Sequence, residues 1–354
     1  MLANILLDGL GLGAIYAFIA LGYTMVYGII RLINFAHGEF FMVGGFVGLF
    51  VLRDSRIEEL PLPQPLPVLL AFFLALAAAG LAAGLLAVVT ERLAYRPVRH
   101  AGRIAALLTA VGVSFFLQNL AIQVWGAGAR AYPEPGIWVS VDDVPSPADA
   151  SYRRRDDPAA VIKAGEPVTA ARRAELKAAG VERVVKSMGI TKEGKQGFVL
   201  ALLVLCAPVL WFLVQRTRMG RAMRAVSEDP DAAKLMGINL DRVVAWTFFL
   251  GAVLAGIGGV AFCSTYGSVR PLTGWIPGLK AFIAAVIGGI GSIPGALVGG
   301  LVLGMAEFGL PWLLEEAGWS EAKAFQEALA YVFLIVVLVI RPTGLLGRPL
   351  REKV

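Results

Sequence analysis

The amino-acid sequence predicts an all-α fold, a polytopic transmembrane helical bundle of about eight to nine spans with a small soluble insertion. The 354 residues are 57% hydrophobic and only 16% charged, whereas soluble domains carry about a quarter charged residues. Six windows lack charged residues and are long enough to cross the hydrocarbon core as helices: 9–30, 61–90, 104–129, 197–215, 243–269 and 281–306. They lack the alternating pattern of a membrane β-barrel, so their backbone groups must pair within helices.

The first window is predicted to be a span and not a cleaved signal peptide. No Lys or Arg precedes Arg31, so the start of the chain lacks the basic region of such a peptide. Basic residues cluster beside spans in three regions: 92–103, 216–224 and 341–353. By the positive-inside rule these regions are cytoplasmic, which places the N-terminus outside and the C-terminus inside and requires an odd number of spans.

Two of the expected spans are irregular. Segment 33–52 is short and begins with polar residues, and segment 278–314 is interrupted by GGIGSIPG at 288–295. Gly and Pro at that point fit either a hairpin or a re-entrant element buried in protein. PLPQPLP at 61–67 is predicted to form an external turn.

Glycines recur four residues apart in several of the predicted spans. The pairs and series are Gly9 and Gly13, Gly44 and Gly48, Gly80 and Gly84, and Gly291, Gly295 and Gly299. Such spacing lets helix backbones approach closely, so these positions are predicted to be packing contacts. Gating flexibility is the alternative interpretation.

The region 130–196 interrupts the membrane pattern and separates an N-terminal membrane half, 1–129, from a C-terminal half, 197–354. It is polar and is predicted to be a soluble insertion outside the cytoplasm, since long loops escape the orientation rule. Within it, 169–179 is predicted to be a helix that Gly180 ends, and the VERVV that follows is predicted to be a strand.

Several function classes are disfavoured. The net charge of +6 comes from loops beside spans, so no nucleic-acid binding is expected. Cys206 and Cys263 lie within predicted spans without metal or disulfide spacing. GITKEGKQ at 189–196 resembles a phosphate loop, but Gln196 stands where Ser or Thr would hold magnesium. We therefore expect no nucleotide site and no cofactor.

Asn34, His37 and Glu39 form a polar group inside the apolar segment NFAHGEFF. On a helix, Asn34 and His37 would share a face, with Glu39 well around from them. Their spacing is not that of a zinc protease and no metal site is expected. Polar groups inside a membrane span must face the bundle interior or water. Two interpretations therefore stay open: the three residues form an interhelical hydrogen-bond clamp, or they line a permeation path.

The segment 216–242, RTRMGRAMRAVSEDPDAAKLMGINLDR, is predicted to hold two short cytoplasmic helices. A basic amphipathic run breaks at Asp229 before Pro230, and a new helix starts at Asp231 and stops at Gly237. One interpretation is a solvated loop with local helix. In the other, Ala232 and Ala233 present a small-residue surface to the groove of a partner protein.

The motifs along the chain together resemble one family. DAAKLMG at 231–237 is similar to the E-A-A-x-x-x-G coupling motif of ABC importer permeases, with Asp231 in place of Glu. Four further stretches resemble the branched-chain amino acid permeases of that superfamily: INFAHGEFFMVGG at 33–45, YRPVRHAGRIAALLTAVGVSFFLQN at 95–119, GLKAFIAAVIGGIGSIPGALVGG at 278–300 and IRPTGLLG at 340–347. The resemblance covers nearly everything except 130–196.

The resemblance implies a subunit in the cytoplasmic (inner) membrane that works with two cytoplasmic ATPases, a second homologous permease and an external substrate-binding protein. The implied cycle is alternating access driven by ATP that the partners hydrolyse. The residues implied in ATPase coupling are Glu228, Asp229, Asp231, Ala232, Ala233 and Gly237. The candidate translocation path comprises Asn34, His37, Glu39, Gln118 and Asn119, and Lys280 is either a carboxylate attractor or an interface lysine.

Other functions stay open at this point. A urea or short-amide permease of the same family is the nearest alternative. An intramembrane enzyme using His37 and Glu39, or a receptor whose segment 130–196 senses a ligand, are remote alternatives. Typical family members lack an insertion of this length, and we expect 140–196 to modify docking of the external binding protein.

Overall fold

The computed structural model describes residues 2–54, 57, 63, 66–99, 101–133, 136–153, 160–181, 183–187 and 191–347. The predicted external turn at 61–67 and the basic C-terminal residues after Gly347 lie largely or wholly outside this described part. Its first six helices are α1 (Leu2–Ile30), α2 (His37–Asp54), α3 (Leu66–Thr90), α4 (Arg96–Val98), α5 (Arg103–Trp125) and α6 (Ala170–Ala178). A π-helical turn, Glu91–Tyr95, joins α3 to α4.

The remaining helices are α7 (Lys192–Arg216), α8 (Arg218–Glu228), α9 (Pro230–Leu235), α10 (Leu240–Tyr266), α11 (Trp275–Gly288), α12 (Ile293–Glu316) and α13 (Gln326–Ile340). Within the described residues, 7 helical segments are long and apolar enough to cross a membrane: α1, α3 with its continuation, α5, α7, α10, α12 and α13 with the turn before it. The predicted all-α polytopic bundle is thereby confirmed. The two irregular spans of the sequence correspond to α2 and to the 14-residue α11.

The first turns of helices α2 and α11 meet. A Cβ atom on Gly38 would lie 2.4 Å from the carbonyl oxygen of Gly274. The prediction that Asn34 lies on a helix with His37 is wrong, because 31–34 is non-helical and α2 starts only at His37. The break in GGIGSIPG is a hairpin turn between α11 and α12, which pack against each other.

Close backbone contacts hold the central helices together, as the glycine spacing predicts. A Cβ atom on Gly13 of α1 would lie 2.8 Å from the Cα of Leu301 in α12. One on Gly44 of α2 would lie 2.3 Å from the Cα of Gly256 in α10. Gly291 differs from the rest, since it lies in the turn after α11 with a φ of 94°, a conformation that favours glycine.

The insertion folds as a small α/β unit. Its strands are β2 (Gly136–Ser140), β3 (Tyr152–Arg153), β4 (Ala160–Ile162) and β5 (Arg183–Ser187), ordered β2-β5-β3-β4 with antiparallel pairing. The predicted helix is α6, and Gly180 follows it with a φ of 77°. Leu176 on that helix joins Tyr152, Ile162 and Val184 in an apolar core separate from the membrane helices.

A second, two-stranded sheet ties the insertion to the bundle. Strand β1 (Arg130–Ala131) pairs antiparallel with β6 (Ser268–Val269), which directly follows α10. The side chain of Tyr132, next along the chain, is buried among residues of α2, α3 and α10. The start of the insertion is therefore anchored at the end of α10.

Candidate functional site

A polar cluster surrounds the start of α2 within the bundle. Glu39 is 1% exposed, and its Oε1 accepts hydrogen bonds from Ser114 Oγ at 2.9 Å and Gln118 Nε2 at 2.7 Å. These bonds join α2 to α5. Because Ser114 and Gln118 lie four residues apart, one face of α5 delivers both donors.

Asn34 is held in the non-helical stretch before α2. Its Oδ1 accepts hydrogen bonds from the Tyr95 hydroxyl at 2.5 Å and from the backbone N–H of Ala36 at 3.1 Å. Tyr95 belongs to the π-helical turn, so this contact connects the entry of α2 with the end of α3. Two of the three polar residues, Asn34 and Glu39, thus make hydrogen bonds of the kind that the clamp interpretation requires.

His37 occupies a tight niche between α1 and α10. Its ring lies 4.9 Å from that of Tyr23 and 5.8 Å from that of Phe40. A Cβ atom on Gly22 would lie 2.0 Å from His37 Nε2 and 2.8 Å from the carbonyl oxygen of Gly251. Only glycine at 22 leaves room for this side chain.

Three buried atoms of the cluster have no hydrogen-bond partner among the described residues: Asn34 Nδ2, His37 Nε2 and Glu39 Oε2. Buried polar atoms are nearly always paired in folded proteins, and each exception calls for an explanation. Here they combine donors and acceptors beside a carboxylate.

Asn119, a predicted path residue, and Lys280 both lie outside the cluster. Asn119 points away from the cluster and donates its amide to the Phe115 carbonyl oxygen at 2.8 Å, because it is one position around the helix from Gln118. Lys280 is neither an interface lysine nor a free carboxylate attractor, since its ammonium lies 2.6 Å from Glu307 Oε1 inside the bundle. Glu307 is visible in the sequence as the one carboxylate in the apolar stretch 293–314 of α12.

The helices α8 and α9 form the predicted pair at one end of the bundle. Asp229 caps α9, with Oδ1 accepting from the backbone N–H groups of Asp231 and Ala232 at 3.0 Å each. Pro230 opens the helix, where its missing N–H costs nothing. Gly237 follows α9 with a φ of 82°, so the predicted break and stop are both confirmed.

The exposed surface of α9 differs from the predicted one. Ala232 is exposed, but Ala233 is 5% exposed and packs against Met223 and Val226 of α8. Leu235 and Met236 are instead the apolar residues that face solvent, at 89% and 82% exposure. Large apolar side chains so exposed on a polar segment indicate a contact surface for another protein. Ala233 and Leu235 lie on opposite sides of the helix, so the burial of Ala233 against α8 leaves Leu235 exposed.

An ion-pair network connects this end of α10 to α3 and α4. Asp241 near the start of α10 lies 2.9 Å from Arg96 and 2.8 Å from Arg99. Arg99 also lies 2.5 Å from Glu91, whose side chain is fully buried. The residues just after α9 are therefore fixed to the π-helical turn, which also holds Asn34.

Comparison with known proteins places these features in one family. Residues 5–340 match the family described as branched-chain amino acid transport system / permease component. The chain is 37% identical over 349 residues to the high-affinity branched-chain amino acid transport system permease protein LivH of Escherichia coli strain K12, covering 98% of this chain and 96% of the relative. It is 38% identical over 355 residues to the corresponding protein BraD of Pseudomonas aeruginosa, covering 99% and 97%.

A more distant relative matches over a shorter stretch. The fructose import permease protein FrcC of Rhizobium meliloti is 35% identical over 130 residues, which is 35% of this chain and 36% of the relative. No solved structure matches the chain. Both the family match and the two long alignments span nearly the whole sequence, and the chain therefore belongs to the permease components of branched-chain amino acid transport systems.

Proposed function

We propose that this chain is the membrane-spanning permease subunit of an ATP-driven ABC importer for branched-chain or related hydrophobic amino acids. The observation that carries the proposal is the likeness to LivH and BraD over 98% and 99% of the chain. The permease named for fructose matches only 35% of it. This difference favours amino acids as the transported class.

Energy for transport comes from partner subunits in this proposal. Two cytoplasmic ATPases supply it, and one of them receives α9, where the exposed Leu235 and the following Met236 insert into an apolar groove. The basic residues around α8 support a cytoplasmic position for this end, with the N-terminus outside and the C-terminus inside. Movement of α9 is transmitted directly to α10, and through Asp241 to α3. The movement can therefore switch the bundle between its outward-facing and inward-facing states.

The translocation path runs beside the polar cluster. A zwitterionic amino acid requires an acceptor for its ammonium and donors for its carboxylate, and polar groups inside a bundle mark such paths. Glu39 supplies the acceptor, while Asn34 and His37 supply unpaired polar atoms. The outward side of α5, with Phe115 and Phe116 exposed, faces the second homologous permease.

The insertion serves the delivery of substrate. Residues 140–196 lie on the external side in the proposed orientation and carry the α/β unit, which β1 and β6 fix to the end of α10. A folded unit attached there by a short sheet is positioned to contact an external binding protein. Deletion of 140–196 is expected to weaken the affinity for the external binding protein and to reduce substrate uptake. If both stay unchanged, the insertion does not have this role.

Capture of the ATPase subunits tests the proposed function. The purified chain, with the second permease present, should retain the ATPases of its own organism, and the double variant Leu235→Asp with Met236→Asp should lose them. Leu346→Asp is the matched control, since Leu346 is also exposed, at 48%, in the C-terminal loop. Leucine uptake by vesicles containing the whole assembly should follow capture. Failure of the wild-type assembly to capture ATPases or take up any branched-chain amino acid contradicts the proposal.

A further inference from the structure

A pocket of about 510 Å³ opens between α3 and α10, at the end of the bundle that carries α9. Three arginines contribute to its lining: Arg92 and Arg96 from the α3 side and Arg242 from the start of α10. Asn239, the N-cap of α10, also lines it. The pocket lies outside both the polar cluster and the exposed surface of α9.

The pocket is polar at one end and apolar at the other. On the α3 side, Val88 precedes Arg92 by four residues, so the apolar contact lies about one turn deeper in the membrane. On α10, Trp246 follows Arg242 by four residues, and Phe249 lies one turn further. Each helix thus presents an arginine at the water side and apolar groups towards the hydrocarbon.

Positive charge in the pocket exceeds negative charge. Its lining contains three guanidinium groups and one carboxylate, that of Asp241. Asp241 is already bonded to Arg96 and to Arg99, at 2.9 and 2.8 Å. Within the described part of the chain, neither Arg92 nor Arg242 has a carboxylate within ion-pair distance. Two guanidinium groups are therefore available to an external anion.

The apolar end continues onto the surface that faces lipid. Leu85 and Val89 on α3 are 53% and 50% exposed, and Trp246 on α10 is 44% exposed. A soluble anion would use the arginines but leave this apolar surface uncovered. A phospholipid would occupy both, because its headgroup lies at the water boundary and its acyl chain lies in the hydrocarbon.

We propose that the pocket binds one anionic phospholipid, with the headgroup phosphate held by Arg92 and Arg242 and an acyl chain lying against Val88, Trp246 and Phe249. Arginine suits this task because its planar guanidinium group donates two parallel hydrogen bonds to phosphate. Since Asn239 and Asp241 belong to the same pocket, a bound lipid also braces the connection between α9 and the bundle. The site is separate from substrate translocation.

Quenching of tryptophan fluorescence tests the site. The full chain is placed in phosphatidylcholine nanodiscs with increasing fractions of phosphatidylglycerol brominated on its acyl chains, and Trp246→Phe identifies the part of the signal due to Trp246. Wild type should show saturable quenching of Trp246 by brominated phosphatidylglycerol, above the non-saturating quenching by surrounding lipid that brominated phosphatidylcholine gives at equal fraction. The Arg92→Gln, Arg242→Gln double variant should bind phosphatidylglycerol about thirtyfold more weakly. This is roughly the affinity that two arginines contribute near an anionic membrane surface.

Matched controls separate the pocket from general surface charge. Arg31→Gln with Arg341→Gln removes the same charge from exposed positions at the ends of α1 and α13, at the same end of the bundle, and should bind like wild type. Millimolar inorganic phosphate should not compete.

Three results would each overturn the proposal. Equal quenching in wild type and the pocket variant would show that the arginines do not select the lipid. Competition by inorganic phosphate would show a site for free anions. Loss of quenching when the ATPase subunits are bound would show that the pocket is a protein contact.

Discussion

The ammonium group of Lys280 lies 2.6 Å from Oε1 of Glu307, and both side chains are 5% exposed. The second oxygen of Glu307 accepts a hydrogen bond of 2.8 Å from the Tyr16 hydroxyl. One carboxylate thereby joins α1, α11 and α12. Each of the two buried charges has its counter-charge within hydrogen-bond distance. The pair therefore fixes the short helix α11 against the long helices α1 and α12.

Breaking this pair from one side should destabilise the protein strongly. Lys280→Met leaves the Glu307 carboxylate buried without its counter-charge, and we expect a loss of about 3–5 kcal/mol in the free energy of unfolding. The double variant Lys280→Met with Glu307→Leu should be less destabilised than either single variant. Denaturant unfolding in detergent measures all three.

The exposed pair of Lys323 with Glu315 is the control for that series. It has a similar separation, 2.8 Å, but the lysine side chain is 71% exposed. Lys323→Met should therefore change the free energy of unfolding by about 1 kcal/mol or less. A double variant as unstable as Lys280→Met would contradict the assignment of the loss to an uncompensated charge.

Helix contact through glycine should be sensitive to a single methyl group. Gly44→Ala places a Cβ atom 2.3 Å from the Cα of Gly256, so α2 and α10 must separate. We expect a clear fall in thermal stability. Gly112→Ala in α5 meets nothing within 4 Å and should be neutral or stabilising by up to about 1 kcal/mol from helix propensity. Equal stability of the two variants in detergent would refute a packing role for Gly44.

Adjacent residues on α5 should differ sharply. Gln118→Ala removes one of the two donors to the buried Glu39 carboxylate, and an unsatisfied buried group costs about 1–3 kcal/mol. Asn119→Ala removes only an exposed bond to its own helix and should cost about 0.5 kcal/mol or less. In the proposed importer, Gln118→Ala should also reduce leucine uptake by vesicles while Asn119→Ala should not.

Uptake and stability of these two variants distinguish a role of the Glu39 contacts in the translocation path from a purely structural hydrogen-bond clamp. Reduced uptake by Gln118→Ala, at a temperature where the variant remains folded, indicates a role in translocation. If stability falls while uptake by the folded fraction stays at the wild-type level, the Glu39 contacts are structural. Reduced uptake by Asn119→Ala would contradict the outward position of that residue.

The sequence predicted the bundle well because its signals are local. The length of the apolar stretches predicts the spans. The Asp229-Pro230 break predicts where α8 ends, and Gly237 predicts where α9 ends. Contacts between distant helices were not accessible in this way. Lys280 and Glu307 are 27 residues apart, and nothing in their separate surroundings pairs them.

The polar group before α2 shows the same limit. The three-residue spacing of Asn34 and His37 would put them on one face of a helix, yet Asn34 precedes α2 and its side chain bonds Tyr95, which lies 61 residues away. Likewise, helical spacing places Ala233 and Leu235 on opposite sides of α9 but does not tell which side packs on α8. The burial of Ala233 depends on Met223 and Val226, and it leaves Leu235 to solvent.

The insertion should lose stability in acid through one ion pair. Hydrogen bonds from the Lys186 ammonium and the Tyr152 hydroxyl hold the pKa of Asp149 below its ordinary value. A carboxyl group whose pKa is lower in the folded state stabilises the fold above its unfolded pKa, about 3.9, and this contribution is lost as pH falls through the folded value. The insertion should therefore become less stable below about pH 4.

Hydrogen exchange of the β5 amides in the full-length protein, corrected for the intrinsic rate, tests this expectation. At pH 6, Asp149→Asn should show less protection than wild type, and the difference should shrink as the pH falls below about 4. Asp143→Asn is the control, because within the described residues Asp143 is exposed and has no ion pair, so it should match wild type throughout. A difference between Asp149→Asn and wild type that stays constant from pH 6 to pH 3 would show that ionisation of Asp149 does not stabilise the insertion.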